Sequence, residues 1–139
     1  MKIKFDYAVT AAILTSLAGC GGGGEAAPRL NIVSGHVAFS DAKKSIDAAD
    51  HSVVVFHPAN DVSGEETISG PLIEGAFSIW TEKDGEKILG APEGDYTVTI
   101  SPPKSSPKAI PAKYRDPKTT DLTAHVDKGI NNLPVMELK

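Results

Sequence analysis

Apolar residues return along this chain in short runs separated by glycine, proline, asparagine and aspartate, and few of the runs keep a helical period. The stretch IVSGHVAFS alternates. Val33, Gly35, Val37 and Phe39 share one face and Ser34, His36 and Ala38 the other, the pattern of a half-buried strand. SVVVFHP, from Ser52 to Pro58, is dense in β-branched residues and stops at a proline, which also predicts a strand. ETISGPLI runs through Glu74 and Gly75 into AFSIWT and predicts two strands around a tight turn. DYTVTI lies between Gly94 and the pair Pro102 and Pro103, with Tyr96, Val98 and Ile100 on its inward face and the phenol expected to reach a backbone partner. Residues 101–113 hold four prolines and read as an extended loop. DLTAHV and NLPVMEL close the chain as two expected strands around a turn at DKGIN. Seven or so strands at spacings of about ten residues predict an all-β fold, a two-layer antiparallel β-sandwich.

A length of 139 residues allows one modest domain with a core. The net charge of −4 is mild and the lysines are scattered through loops, so no basic stripe exists to hold phosphates and nucleic acid is not an expected partner. With a single cysteine, no internal disulfide is possible.

Ahead of the first strand the pattern changes. Lys2 and Lys4 precede a mostly apolar run over residues 8–18 that is too short to cross a bilayer as a permanent helix. The run ends in Leu17, Ala18, Gly19 and Cys20, which resembles the lipobox of bacterial lipoproteins. The resemblance implies a signal peptide over residues 1–19, cut before Cys20, and a diacylglyceryl group on the Cys20 thiol. Small side chains at Ala18 and Gly19 would let a peptidase reach the backbone, and the thiol is the nucleophile for lipid transfer. Two or three acyl chains such as palmitate, at about 0.8 kcal/mol per buried methylene, make a stable membrane anchor. Gly21 gives no retention signal of the aspartate type, so the expected place is the extracytoplasmic side of the cell membrane or an outer membrane. Cleavage would leave 120 residues with a net charge of −5. Residues 20–29 then form a lipidated, glycine-rich tether reaching about 17 Å, and residues 30–139 the domain.

Other residues carry a second resemblance. VSGHVAF, GAFSI and GAPEGDYTVTI are similar to the carboxypeptidase regulatory-like, or transthyretin-like, β-sandwich domain. IPAKYRDPKTTDLTAHVDKGINNLPVMEL resembles the closing segment of small lipoproteins abundant in planctomycete bacteria, which implies a paired last strand. Together these cover residues 33–138. Relatives of this kind usually turn on Asp-Gly before the Phe strand, where this chain has Glu74, Gly75 and Ala76. Transthyretin-like folds include hydroxyisourate hydrolase, whose Tyr-Arg-Gly-Ser tail is replaced here by VMELK, with Tyr114 and Arg115 lying in mid-chain. The resemblance therefore implies a fold without that enzyme's catalytic set.

The candidate chemistry is sparse. His36, His51, His57 and His125 form no H-x-x-x-H pair, so no metal and no cofactor are expected. Asp116 and Asp121 flank PKTT without the alternating oxygens of a calcium loop. No serine sits in a nucleophile elbow. Trp80 falls on the strand face opposite Phe77 and Ile79. It is therefore either an exposed aromatic for sugar stacking or a protein interface, or a ring that caps one end of the sandwich or lies under the Pro-rich loop, and Tyr114 could accompany it under either reading. The expectation is a non-catalytic structural or interaction module with an envelope protein as partner. The alternative is a small envelope carbohydrate- or ligand-binding protein using an exposed aromatic, Trp80, with Tyr114 as the second candidate binding residue and a glycan as the possible partner.

Overall fold

A computed structural model describes residues 29–41, 43–60 and 66–139. The lipobox, Cys20 and most of the tether lie outside these residues. Ten strands are present among them: β1 (Ile32–Phe39), β2 (Val53–Pro58), β3 (Thr67–Ile73), β4 (Ala76–Ser78), β5 (Trp80–Lys83), β6 (Glu86–Leu89), β7 (Gly94–Ser101), β8 (Thr123–Val126), β9 (Ile130–Asn132) and β10 (Met136–Leu138). The hydrogen-bonded order is β10-β1-β4-β3-β2-β7-β8, with β5 and β6 branching from β3 and β9 from β1. The fold is all-β as expected, and its sheet curls until β8 and β10, the two ends of the path, line opposite walls of one groove.

Two sequence expectations need correction. The sheet is mixed, because β1 pairs in parallel with both β9 and β10. The turn expected over DKGIN is also confined to Asp127–Gly129: Ile130 and Asn131 already belong to β9 and travel along β1, where β10 finds its pairing as well, while β8 lies on β7. Alternation identifies a strand but not its partner, and Pro134 confines the last strand to Met136–Leu138. Met136 and Leu138 are therefore buried and Val135 is exposed.

Two tight turns have a common cause. Glu74 and Gly75 adopt φ of 51° and 80°, and Asp84 and Gly85 adopt 53° and 79°, the doubly positive geometry that matches the twist of a two-residue hairpin. Glu74 tolerates this conformation in place of aspartate, and its amide donates to Asp50 Oδ1 at 3.0 Å. Ahead of both turns, β3 bends around a corner at Gly70. The first half of β3 pairs with β5 and the second half with β4, and a Cβ on Gly70 would lie 1.9 Å from the Ser78 carbonyl oxygen.

The interior is filled by Val33, Val54, Phe56, Leu72, Phe77 and Val98 with their neighbours. Phe56 meets Phe77 edge-on at 6.3 Å and Tyr96 at 5.4 Å. GAPEGDY works as a packing device. Gly90 lies where a Cβ would be 2.4 Å from Asn31 O, Ala91 and Asn31 exchange backbone bonds of 2.8 and 2.9 Å, and the Tyr96 hydroxyl donates to Pro92 O at 2.6 Å. The Pro-rich segment is more than a surface loop. It drops Ile110 and, from the 3-10 turn Ala112–Arg115, Tyr114 into the core, and the Arg115 guanidinium clasps Ile110 O.

Candidate functional site

The structure separates the two aromatic candidates. Tyr114 is 1% exposed, and its hydroxyl accepts the Lys139 amide at 2.9 Å. A ring so enclosed offers no face for ligand stacking, so its part in the expected site is replaced by one in the core. Trp80 is half-buried. It lines a shallow groove of about 410 Å³ on the outer face of β1, β3 and β4, together with His36, Pro71, Ile73 and Ser78. The Lys87 ammonium stands 5.6 Å from the centre of the indole and covers one side of it.

The histidines are dispersed. His51 is exposed beside Asp50, and His57 Nε2 meets Thr99 Oγ1 at 2.8 Å, its pKa lowered by burial. No group of three or more potential metal ligands forms among the described residues. Asp116 caps its own turn by accepting the Lys118 amide at 2.8 Å, and Asp121 pairs with Lys113 at 2.6 Å. These two carboxylates are each engaged locally and do not converge.

A concavity lies in the seam where the sheet fails to close. β8 and the Leu133–Glu137 segment line a groove of about 760 Å³, floored by Leu122, Ala124 and Met136 and by Tyr96 of β7. Its walls are two strand edges. Val98 N–H donates to Leu122 O, which makes Tyr96 and Ala124 the mutually bonded pair in the β7–β8 ladder and turns the N–H and C=O of Thr123 and His125 into the seam. On the other wall Ser40 N–H donates to Leu138 O, so Met136 and Leu138 use their backbone groups on β1 and Glu137 presents its own to the seam. The next outward amide, that of Lys139, is the one satisfied by Tyr114.

Carboxylates mark the rim. Asp95, Asp121 and Glu137 border the groove. His125 Nδ1 contacts Asp95 at 2.6 Å, and its Nε2 lies 3.3 Å from Asp127. The hydrogen bond to Asp95 first, and the charge of Asp127 second, raise the His125 pKa above the ordinary histidine value. Lys113 holds Asp121 below the usual carboxylate range.

Sequence reasoning placed Leu122, Ala124 and Val126 correctly on one face of β8, but it missed the seam. The available signal was Pro134 inside the stretch NLPVMEL, which argues against one continuous last strand. Comparison of the chain with family models, with curated proteins and with solved structures gives no match.

Proposed function

We propose that this chain is a lipid-anchored, extracytoplasmic β-domain of the transthyretin-like type, acting as a non-catalytic structural or interaction module at a bacterial cell envelope. The observation that carries the reading is Leu17-Ala18-Gly19-Cys20 at the end of a lysine-flanked apolar run. The glycine-rich stretch after Cys20 supports it, since it would let the domain stand off the bilayer. The strand edges around the β8–β10 seam are compatible with a role in gripping a partner. Detergent-phase partitioning of the expressed full chain, with incorporation of labelled palmitate, tests the anchor. Both are expected, and both should vanish in Cys20→Ser. Partitioning that survives Cys20→Ser refutes the lipid attachment.

One observation favours a second reading. Trp80 borders a groove that also holds His36, Ser78 and the exposed Ile73, a mixture of aromatic, apolar and hydrogen-bonding groups suited to an envelope sugar. Binding on a glycan array that is lost in Trp80→Ala supports this reading, and no binding by the parent chain removes it.

A further inference from the structure

We propose that the seam between β8 and β10 receives an extended peptide bearing lysine or arginine, which adds as a strand between the two edges. The proposal deepens the reading of the domain as an interaction module by naming its surface and its class of partner, and it is independent of the lipid anchor.

Three features point to this occupant. The first is the backbone. Thr123 and His125 on one wall and Glu137 on the other direct their N–H and C=O groups into the seam, the arrangement that draws an added strand. The walls run in opposite directions, because five antiparallel pairings separate β8 from β1 and β10 is parallel to β1. An inserted strand is therefore antiparallel to one wall and parallel to the other.

The second is size. A strand occupies roughly 4.8 Å by 10 Å in section and rises about 3.3 Å per residue, roughly 160 Å³ for each residue. The groove of about 760 Å³ thus accommodates about five. Alternate side chains of such a strand would rest on Leu122, Ala124 and Met136, which show through the gap at 7–8% exposure.

The third is charge. The other side chains of the strand would face outward, between the Asp95–His125–Asp127 group on one wall and Glu137 on the other. Opposite charges on neighbouring strands attract, so cationic residues belong at these positions. Among the described residues, the lysines that act on this rim, Lys113 in a direct pair and Lys139 through its charge, do so on Asp121 at the Tyr114 end and leave the other carboxylates to a ligand.

The test uses the full chain in detergent micelles, with empty micelles as the blank, and fluorescence polarisation of a labelled, end-capped heptapeptide alternating lysine with valine. Saturable binding is expected, with at least tenfold weaker binding of the same peptide carrying glutamate for lysine. Thr123→Pro removes an amide that faces the seam and none from the β7 ladder, so it should weaken binding tenfold or more at an unchanged melting temperature. Val135→Lys, at an exposed groove position, should weaken it as well and serves should Thr123→Pro fail to fold. Absence of saturable binding, equal binding of the glutamate peptide, or binding indifferent to these variants overturns the proposal. A dimer of the full chain abolished by Thr123→Pro also overturns it, in favour of edge pairing between copies. Crosslinking in intact cells that captures an envelope protein while the peptide fails to bind would sink the seam proposal and leave the interaction-module reading standing.

Discussion

Replacing Tyr114 tests whether its ring is a structural plug. The side chain is 1% exposed within the core, and its hydroxyl is the acceptor for the amide that follows β10. Tyr114→Phe keeps the ring and loses one hydrogen bond to a part-buried amide, which costs about 1 kcal/mol. Tyr114→Ala removes the ring as well, and truncating a buried aromatic costs roughly 3–5 kcal/mol. For a domain of this size 1 kcal/mol moves the melting temperature by about 4 °C, so the two variants should melt about 4 °C and roughly 12–20 °C below the parent. Circular dichroism melts of parent and variants at one concentration give the comparison. Because the hydroxyl anchors the end of β10, amide exchange over Met136–Leu138 should quicken in both. An alanine variant melting within about 4 °C of the parent, or a phenylalanine variant as damaged as the alanine one, would show that the ring does not fill the core.

Three further outcomes are expected. Gly70→Ala drives a Cβ into the Ser78 carbonyl, a backbone group that cannot rotate away, and should cost about 3 kcal/mol; a melting temperature near that of the parent would contradict the corner at β3. Ser52 is fully buried and its hydroxyl has no partner among the described residues, so Ser52→Ala should stabilise by about 1 kcal/mol in urea unfolding, and a loss of that size would reveal an unseen acceptor. His125 should titrate by NMR above the ordinary histidine range, and Asp95→Asn should lower its midpoint. A folded pKa above the unfolded one means that its small stabilising effect is complete below the unfolded value of about 6.5 and fades as pH rises through the folded one. A midpoint unmoved in Asp95→Asn would refute the pairing.

Much of the strand content was legible because burial on one side of a sheet writes itself as alternation. Val33, Gly35 and Val37 on β1, and Tyr96, Val98 and Ile100 on β7, face inward as their spacing predicts. The Tyr96 phenol finds the backbone partner expected for it. Strand β6 went unread although Asp84-Gly85 is a strong hairpin signal, because Glu86–Leu89 is exposed throughout and carries no inward pattern. Pairing was the deeper gap. Whether β10 lies beside β8 or β1 depends on contacts between distant parts of the chain, to which local periodicity is blind. The same blindness hid the seam, which exists because the last strand went to β1. It also joined Tyr114 to Trp80 in one candidate site, whereas the fold sends one ring inward and the other to the outer face.

The parallel partnership of β1 with β9 and β10 has a consequence for the order of events in biosynthesis. Val33 and Val37 come first among the described core residues in chain order, and β1 can pair with β4 early, yet its partners on the other side come only when Ile130–Leu138 arrives. Until then β1 can pair on one side only, and the chain cannot lock into its final form. The step that completes the fold therefore belongs to Ile130–Leu138, and everything before it waits, still open on one side, for that stretch to be made.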